Sequence, residues 1–228
     1  VAGYDLAKLM HGSYGTLGVL AEVVLRLHPV PRASTTLAVT STLPVAAELA
    51  ATTLSGPYEP AALEWLGDED GSGELLLRLD GTPDALPARA DRLRALLSED
   101  VRTLDADAAG AAWDRHAALV RGPADAAVLR IGTRPSRLPG VLAELPARRV
   151  TAGLGTGVAT VSLPPDAVAG AHLAVHAAGG TSVLRARPAG SALPAWGPAP
   201  SALAVLAAVK TTLDPEGRFG PGRFTGWL

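Results

Sequence analysis

The sequence predicts an α+β protein: two ferredoxin-like units sharing an antiparallel sheet, with helices on one face. Three observations carry this. From residue 32 onward the apolar pattern reads strand–helix–strand–strand–helix, then strand–helix–strand–strand–helix–strand. Turn formers punctuate that order, notably Gly56-Pro57, the stretch 67–73, the stretch 153–157 and Gly179-Gly180. Hydrophobic residues make up 48% of 228 and charged residues 18%, enough apolar side chain for a sizeable core.

Each element has a local reason. Residues 32–40 alternate, with Leu37 and Val39 on one face, as a strand does. Ser41-Thr42-Leu43-Pro44 opens a helix to about residue 54, since proline is tolerated in a first turn, and Gly56-Pro57 stops it. Runs 60–66 and 74–79 form a hairpin around an acidic, solvated loop that lacks calcium-loop spacing. Thr82-Pro83-Asp84 caps a helix whose Leu86, Ala90, Leu93 and Leu97 share a face, with Arg89, Arg92 and Arg94 outside. A helix follows at 110–120 with Trp113, then a strand at 126–132 and a short helix at 136–145. Residues 150–163 read as two strands about the turn Gly153-Leu154-Gly155-Thr156-Gly157. Helix 164–178, strand 181–187 and helix 200–213 complete the pattern.

The chain begins differently. Gly12, Gly15 and Gly18 allow positive φ and a close approach of backbone to a ligand. Val19-Leu20-Ala21-Glu22-Val23-Val24-Leu25-Arg26-Leu27 follows, and reads as a buried strand bounded by Pro29 and Pro31.

These residues carry a resemblance. Asp5-Leu6-Ala7-Lys8-Leu9, then Gly12-Ser13-Tyr14-Gly15-Thr16-Leu17-Gly18-Val19, then Glu22, Leu25, Leu27 and Pro29 resemble the FAD-linked oxidases, in particular the FAD-binding subunits of glycolate-oxidase type. The end, Leu213-Asp214-Pro215-Glu216-Gly217-Arg218-Phe219-Gly220-Pro221-Gly222-Arg223, resembles that family's D-P-x-G-x-x-N-P-G-[RK] tail, with glycine at 220 where asparagine is usual. Residues 54–64 look like its joint between a first helix and second strand. The resemblance implies FAD as cofactor, contacted by Gly12, Ser13, Gly15, Thr16, Leu17, Gly18 and Val19. It implies that residues 1–31 close a PCMH-type FAD-binding domain whose longer part precedes this chain. Residues 32–212 would then form an α+β cap domain, and 213–228 a tail packing back toward the FAD domain through Phe219, Phe224 and Trp227. The implied chemistry is oxidation of a small 2-hydroxy acid by hydride transfer to flavin, in a complex with a related FAD subunit and an iron–sulfur subunit. A non-catalytic docking subunit, or an oxidase of a sugar or polyol, are the alternatives.

Composition narrows the rest. A net charge of −2 offers no basic field for nucleic acid. With no cysteine, the chain holds no thiolate nucleophile and no cysteine-ligated cluster of its own. No apolar run reaches the ~18 residues of a membrane span, and no signal peptide is evident. A cytoplasmic location is therefore expected, with a partner subunit as the means of any membrane association. No metal site is expected: His172 and His176 lie four apart, but Leu173 stands where a metalloprotease helix has glutamate. Gly153–Gly157 is not followed by a helix, so it reads as a hairpin and not as a phosphate loop. Arg130, Arg134, Arg185 and Arg187 are the candidates to hold a substrate carboxylate. His11 sits beside the glycine turn, and no residue is assigned as the base.

Overall fold

The computed structural model describes residues 5–97, 100–224 and 227; Gly3 and Tyr4, just ahead of the Asp5–Leu9 motif, lie outside the described residues. The chain forms two compact units, Val30–Gly197 and a smaller one of Val1–Pro29 with Pro198–Leu228.

The larger unit is an eight-stranded sheet. In chain order it contains β1 (Ala33–Thr40), α2 (Leu43–Ser55), β2 (Ala62–Asp68), β3 (Gly73–Gly81), α3 (Leu86–Leu97) and β4 (Arg102–Thr103). Helix α4 (Ala106–Arg121) then leads to β5 (Ala127–Gly132), α5 (Leu138–Ala143), β6 (Arg149–Gly153), β7 (Val158–Leu163), α6 (Val168–Ala177) and β8 (Thr181–Ala186). The spatial order is β4-β1-β3-β2-β6-β7-β5-β8. Every neighbouring pair is antiparallel. Each half is thus one βαββαβ unit, and the two halves join edge to edge where β2 pairs with β6. The sixth element of the first half is its fourth strand, β4, only two residues long and exposed, which is why no periodicity announces it.

Alternation along the strands sorts side chains to two faces. On one face, Leu37, Leu75, Leu77, Leu129 and Val161 meet Ala46 of α2, Leu93 of α3, Leu138 of α5 and Val175 of α6 in one core. These four helices lie where the element order places them. Helix α4 lies on the other face, where Ala112, Trp113 and Leu119 cover Ala38, Leu66 and Leu76. Its start is four residues earlier than the apolar pattern suggests, because Asp105 caps it by accepting from the Ala108 N–H at 2.8 Å. Gly110 falls inside this helix, with open space where a side chain would stand.

One buried histidine ties α6 to β8. His172 is 2% exposed; its Nδ1 lies 2.7 Å from Ser182 Oγ and its Nε2 3.1 Å from the Pro194 carbonyl. The carbonyl can only accept, so Nε2 carries the hydrogen and Nδ1 accepts from the serine. Burial holds this imidazole below its usual pKa, against the opposing pull of the Pro194 carbonyl. A depressed histidine pKa contributes stability that is present above the unfolded value and is lost as pH falls below it. Wild type should therefore lose stability relative to His172→Gln as pH falls from 7 toward 5, as read from denaturation midpoints at each pH.

The smaller unit holds α1 (Leu6–Met10) and α7 (Leu203–Leu213). Here one expectation is corrected: the stretch 19–27 is not a buried strand. It has no regular secondary structure, and Val19, Val24 and Leu27 are 77%, 90% and 86% exposed. β-branched composition favours a strand only where a neighbouring strand supplies ladder partners and a packed face. Among the described residues of this unit none does.

Candidate functional site

The glycine turn is built by its own backbone. Asp5 caps α1 by accepting from the Lys8 N–H at 3.0 Å, and the helix ends at His11. The Ser13 N–H then bonds to the Met10 carbonyl at 3.2 Å, and the Thr16 N–H to the Ser13 carbonyl at 3.1 Å. Gly12 and Gly15 turn the chain at φ +81° and +73°, and no atom lies within 4 Å of where a Cβ would stand on either. That open backbone suits a flat, phosphate-bearing cofactor, so the residues present fit FAD. Gly18 differs, since a Cβ there would stand 3.3 Å from Met10 Cε. Ser13, Leu17 and Gly18 are half-buried, Val19 and His11 exposed, and Thr16 is buried with its hydroxyl donating to the Ser13 carbonyl at 2.7 Å.

Thr16 is held from the other end of the chain. Lys210 Nζ, on α7, donates to the Thr16 carbonyl at 2.7 Å, to the Phe219 carbonyl at 2.8 Å, and to the Asp214 carboxylate. Asp214 is 5% exposed and accepts in addition from the N–H groups of Arg218 and Phe219, each at 2.9 Å. The hydrogen bond from Lys210, above all, holds this carboxyl down at about 2, with the two backbone N–H groups helping and burial opposing. Gly220 closes the arrangement at φ +54°; a Cβ on it would stand 3.0 Å from Thr16 Cγ2. Asparagine, usual there in the resembled family, is among the few residues that tolerate such a φ, so the change to glycine keeps the turn. Gly220→Asn keeps the φ but presses a Cβ on Thr16, so it should loosen the turn, read as faster hydrogen exchange at residues 12–18. Phe224 meets Tyr14 edge-on at 6.0 Å and stacks on Trp227 at 6.1 Å.

Lys210 escaped the sequence reading. The available signal was its rarity, one of two lysines in an arginine-rich chain, and its place four residues before Asp214. In the same unit Leu6, Leu9, Val205, Val209 and Leu213 line an open apolar groove of about 700 Å³ between α1 and α7.

The other candidates lie in the larger unit. Arg130 is exposed on β5, Arg134 follows that strand, and Arg185 and Arg187 are exposed at its neighbour β8, Arg187 donating to the Leu193 carbonyl at 3.3 Å. Gly153–Gly157 is the β6–β7 hairpin turn, closed by N–H groups of Thr156 and Gly157 on the Gly153 carbonyl at 3.0 and 2.9 Å. His172 is turned into the core and His176 is exposed, so the pair does not act together. Among the described residues no three metal-ligating side chains converge. One half-buried pair was not foreseen: His116 Nε2 of α4 lies 3.5 Å from Glu64 Oε2 of β2.

No family model matches the chain. It is 62% identical over 37 residues to glycolate oxidase subunit GlcE of Escherichia coli, a stretch covering 16% of this chain and 11% of that protein. It is 40% identical over 67 residues to glycolate oxidase subunit GlcD of Bacillus subtilis, covering 29% and 14%. Two solved structures of alkyldihydroxyacetonephosphate synthase share its fold, with TM-scores of 0.59 and 0.57 at 15% and 14% identity. Each covers 95% of this chain, which spans about half (49%) of theirs. The likeness is to FAD-linked oxidases, a flavoprotein family, over part of their length.

Proposed function

We propose that this chain is a glycolate-oxidase-type subunit of an FAD-dependent oxidoreductase, acting on a small 2-hydroxy acid. One observation carries the reading: the two motifs that resemble the family, at opposite ends of the sequence, meet where Lys210 bonds to Thr16. The turn so held leaves the backbone of Gly12 and Gly15 open for a cofactor. FAD, when bound, supplies the hydride acceptor. Gly12, Ser13, Gly15, Thr16, Leu17, Gly18 and Val19 supply its contacts from this chain, and the tail keeps that turn in shape. Residues 1–31 are the closing segment of a PCMH-type FAD domain, 32–212 the cap, and 213–228 the tail. A preceding region supplies the remaining flavin contacts and covers the apolar side chains of residues 19–27.

The partners in this reading are a related FAD subunit and an iron–sulfur subunit. A cytoplasmic subunit is part of the same proposal; among the described residues no helix is long and apolar enough to cross a membrane. A docking subunit without turnover is the second reading, favoured by the open apolar groove between α1 and α7. Oxidation of a sugar or polyol would keep the same flavin chemistry. Anaerobic addition of glycolate to the flavin-loaded oxidase tests the proposal: bleaching of the flavin absorption is expected, and a spectrum unchanged by glycolate would leave the docking reading.

A further inference from the structure

The first turns of α4 leave a space against the sheet. Ala106, Ala109, Gly110 and Trp113 recur at the spacing of one helix face, and all four line a cavity that also touches β1 and β3. Its volume is about 390 Å³, within the range of small-molecule sites, roughly 300–1,000 Å³. The two alanines and the glycine carry too little side chain to fill it, and no atom lies within 4 Å of where a Cβ would stand on Gly110. Trp113 is tied to the sheet, its indole N–H donating to Thr36 Oγ1 at 3.0 Å. Thr36 lies opposite Arg78, and Ala38, the next residue on that face of β1, is under α4, so both side chains are on the helix side.

The wall of this cavity has bonding capacity that the fold does not use. Thr36 is 4% exposed, and among the described residues nothing accepts its hydroxyl hydrogen. Arg78 gives Nε to Asp80 Oδ1 at 2.8 Å, which leaves the N–H groups of its two terminal nitrogens without a partner among the described residues. Asp105, also in the lining, commits one carboxylate oxygen to the Ala108 N–H and keeps the other. Charge narrows the ligand. Asp80 offsets the guanidinium and Asp105 adds a second carboxylate, so an anion is disfavoured. The lining suits a neutral molecule rich in groups that both donate and accept, with an apolar side to lay against the indole.

We propose that this cavity binds a neutral polyhydroxylated compound of monosaccharide size. Arg78 and Thr36 donate to its hydroxyl oxygens, Asp105 accepts from a hydroxyl, and Trp113 covers its C–H side. Neighbouring hydroxyls match the two terminal nitrogens of a guanidinium, and each hydroxyl accepts from one group while donating to another. The ring hydrogens of a sugar form an apolar side that gains by leaving water for an aromatic surface. The inference uses none of the residues assigned to the flavin turn, so it stands whether or not the chain serves a glycolate-type oxidase.

The test is NMR titration of the whole chain with D-glucose, sorbitol and acetate at matched ionic strength. D-glucose at millimolar concentration should shift the Trp113 indole N–H and the amides of Thr36, Asp105 and Gly110. Sorbitol, which has no ring, should shift them less, and acetate should leave them in place. Arg78→Gln should weaken glucose by about tenfold, the loss of hydrogen bonds from a charged donor. Gly110→Leu should weaken it as much by filling the cavity. Leucine is also the better helix former, so a urea midpoint at or above wild type shows that the loss comes from the filled space and not from the fold. Preserved shift dispersion shows that each variant is folded. The proposal is overturned if glucose and sorbitol shift none of these signals, if acetate shifts them as strongly, or if both variants bind glucose as wild type does.

Discussion

Trp65→Ala is expected to remove about 3–5 kcal/mol from the stability of the larger unit, the cost of deleting a large buried aromatic. Trp65 is 3% exposed on β2, and its indole N–H donates to the Ser41 carbonyl at 3.2 Å. The ring lies over a cross-strand pair of glycines: a Cβ on Gly67 would fall 2.1 Å from Trp65 Cη2, and one on Gly73 2.6 Å from Cε2. The glycines exist to seat the indole, and the indole fills what they leave. Neighbours cannot close such a void, because two of them have no side chain with which to do it. Gly73→Ala should also destabilise, since its Cβ would meet the Leu66 carbonyl at 2.5 Å, a backbone atom that cannot step aside. Trp65→Phe, which keeps part of the ring, should lose less. Urea midpoints for the three variants check the order.

Lys210→Met should open the glycine turn. The substitution keeps the length and apolar stem of the side chain while removing three donors at once, leaving the Thr16 and Phe219 carbonyls unpaired and a buried Asp214 without its cation. Hydrogen exchange at residues 12–18 and 214–220 should accelerate by at least tenfold, with the larger unit unchanged. The same pair makes a pH signature. The Asp214 carboxyl sits at about 2 in the folded chain, below its ordinary value of 3.8. A depressed carboxyl contributes stability that is present above the unfolded value and lost as pH falls through the folded one. Wild-type protection of the turn should therefore decline between about pH 4 and pH 2, and Lys210→Met should show a smaller decline, since the Arg218 and Phe219 N–H bonds to the carboxylate remain. Equal exchange in the two proteins at neutral pH would mean that the lysine does not hold the turn.

Most of the larger unit could be read from residues. Leu86, Ala90 and Leu93 at helical spacing are buried, and Leu37 and Val39 share the core face, because burial on one side of an element leaves a period in the sequence. Three features left no such mark. Strand β4 is too short to have a period. Helix α4 sits on the second face because its apolar residues match Ala38, Leu66 and Leu76, a match between distant segments that no local pattern reveals. Residues 19–27 have the composition of a buried strand, but composition does not supply the strand beside it. The site was legible in part. The glycines at 12 and 15 announced an open turn, whereas Lys210 acts on Thr16 across 194 positions of sequence. The Glu64–His116 pair likewise joins a strand to a helix that nothing in either segment brings together.

The measurement closest to the central claim is a flavin titration followed by visible absorption. It compares this chain by itself with the chain joined to the flavin-binding region proposed to precede it. The account predicts a yellow longer protein with FAD bound, weak or no binding by these 228 residues alone, and loss of flavin from the longer protein on Lys210→Met. A longer protein that stays colourless with FAD in excess would contradict it, and the glycine turn would then be a turn and nothing more.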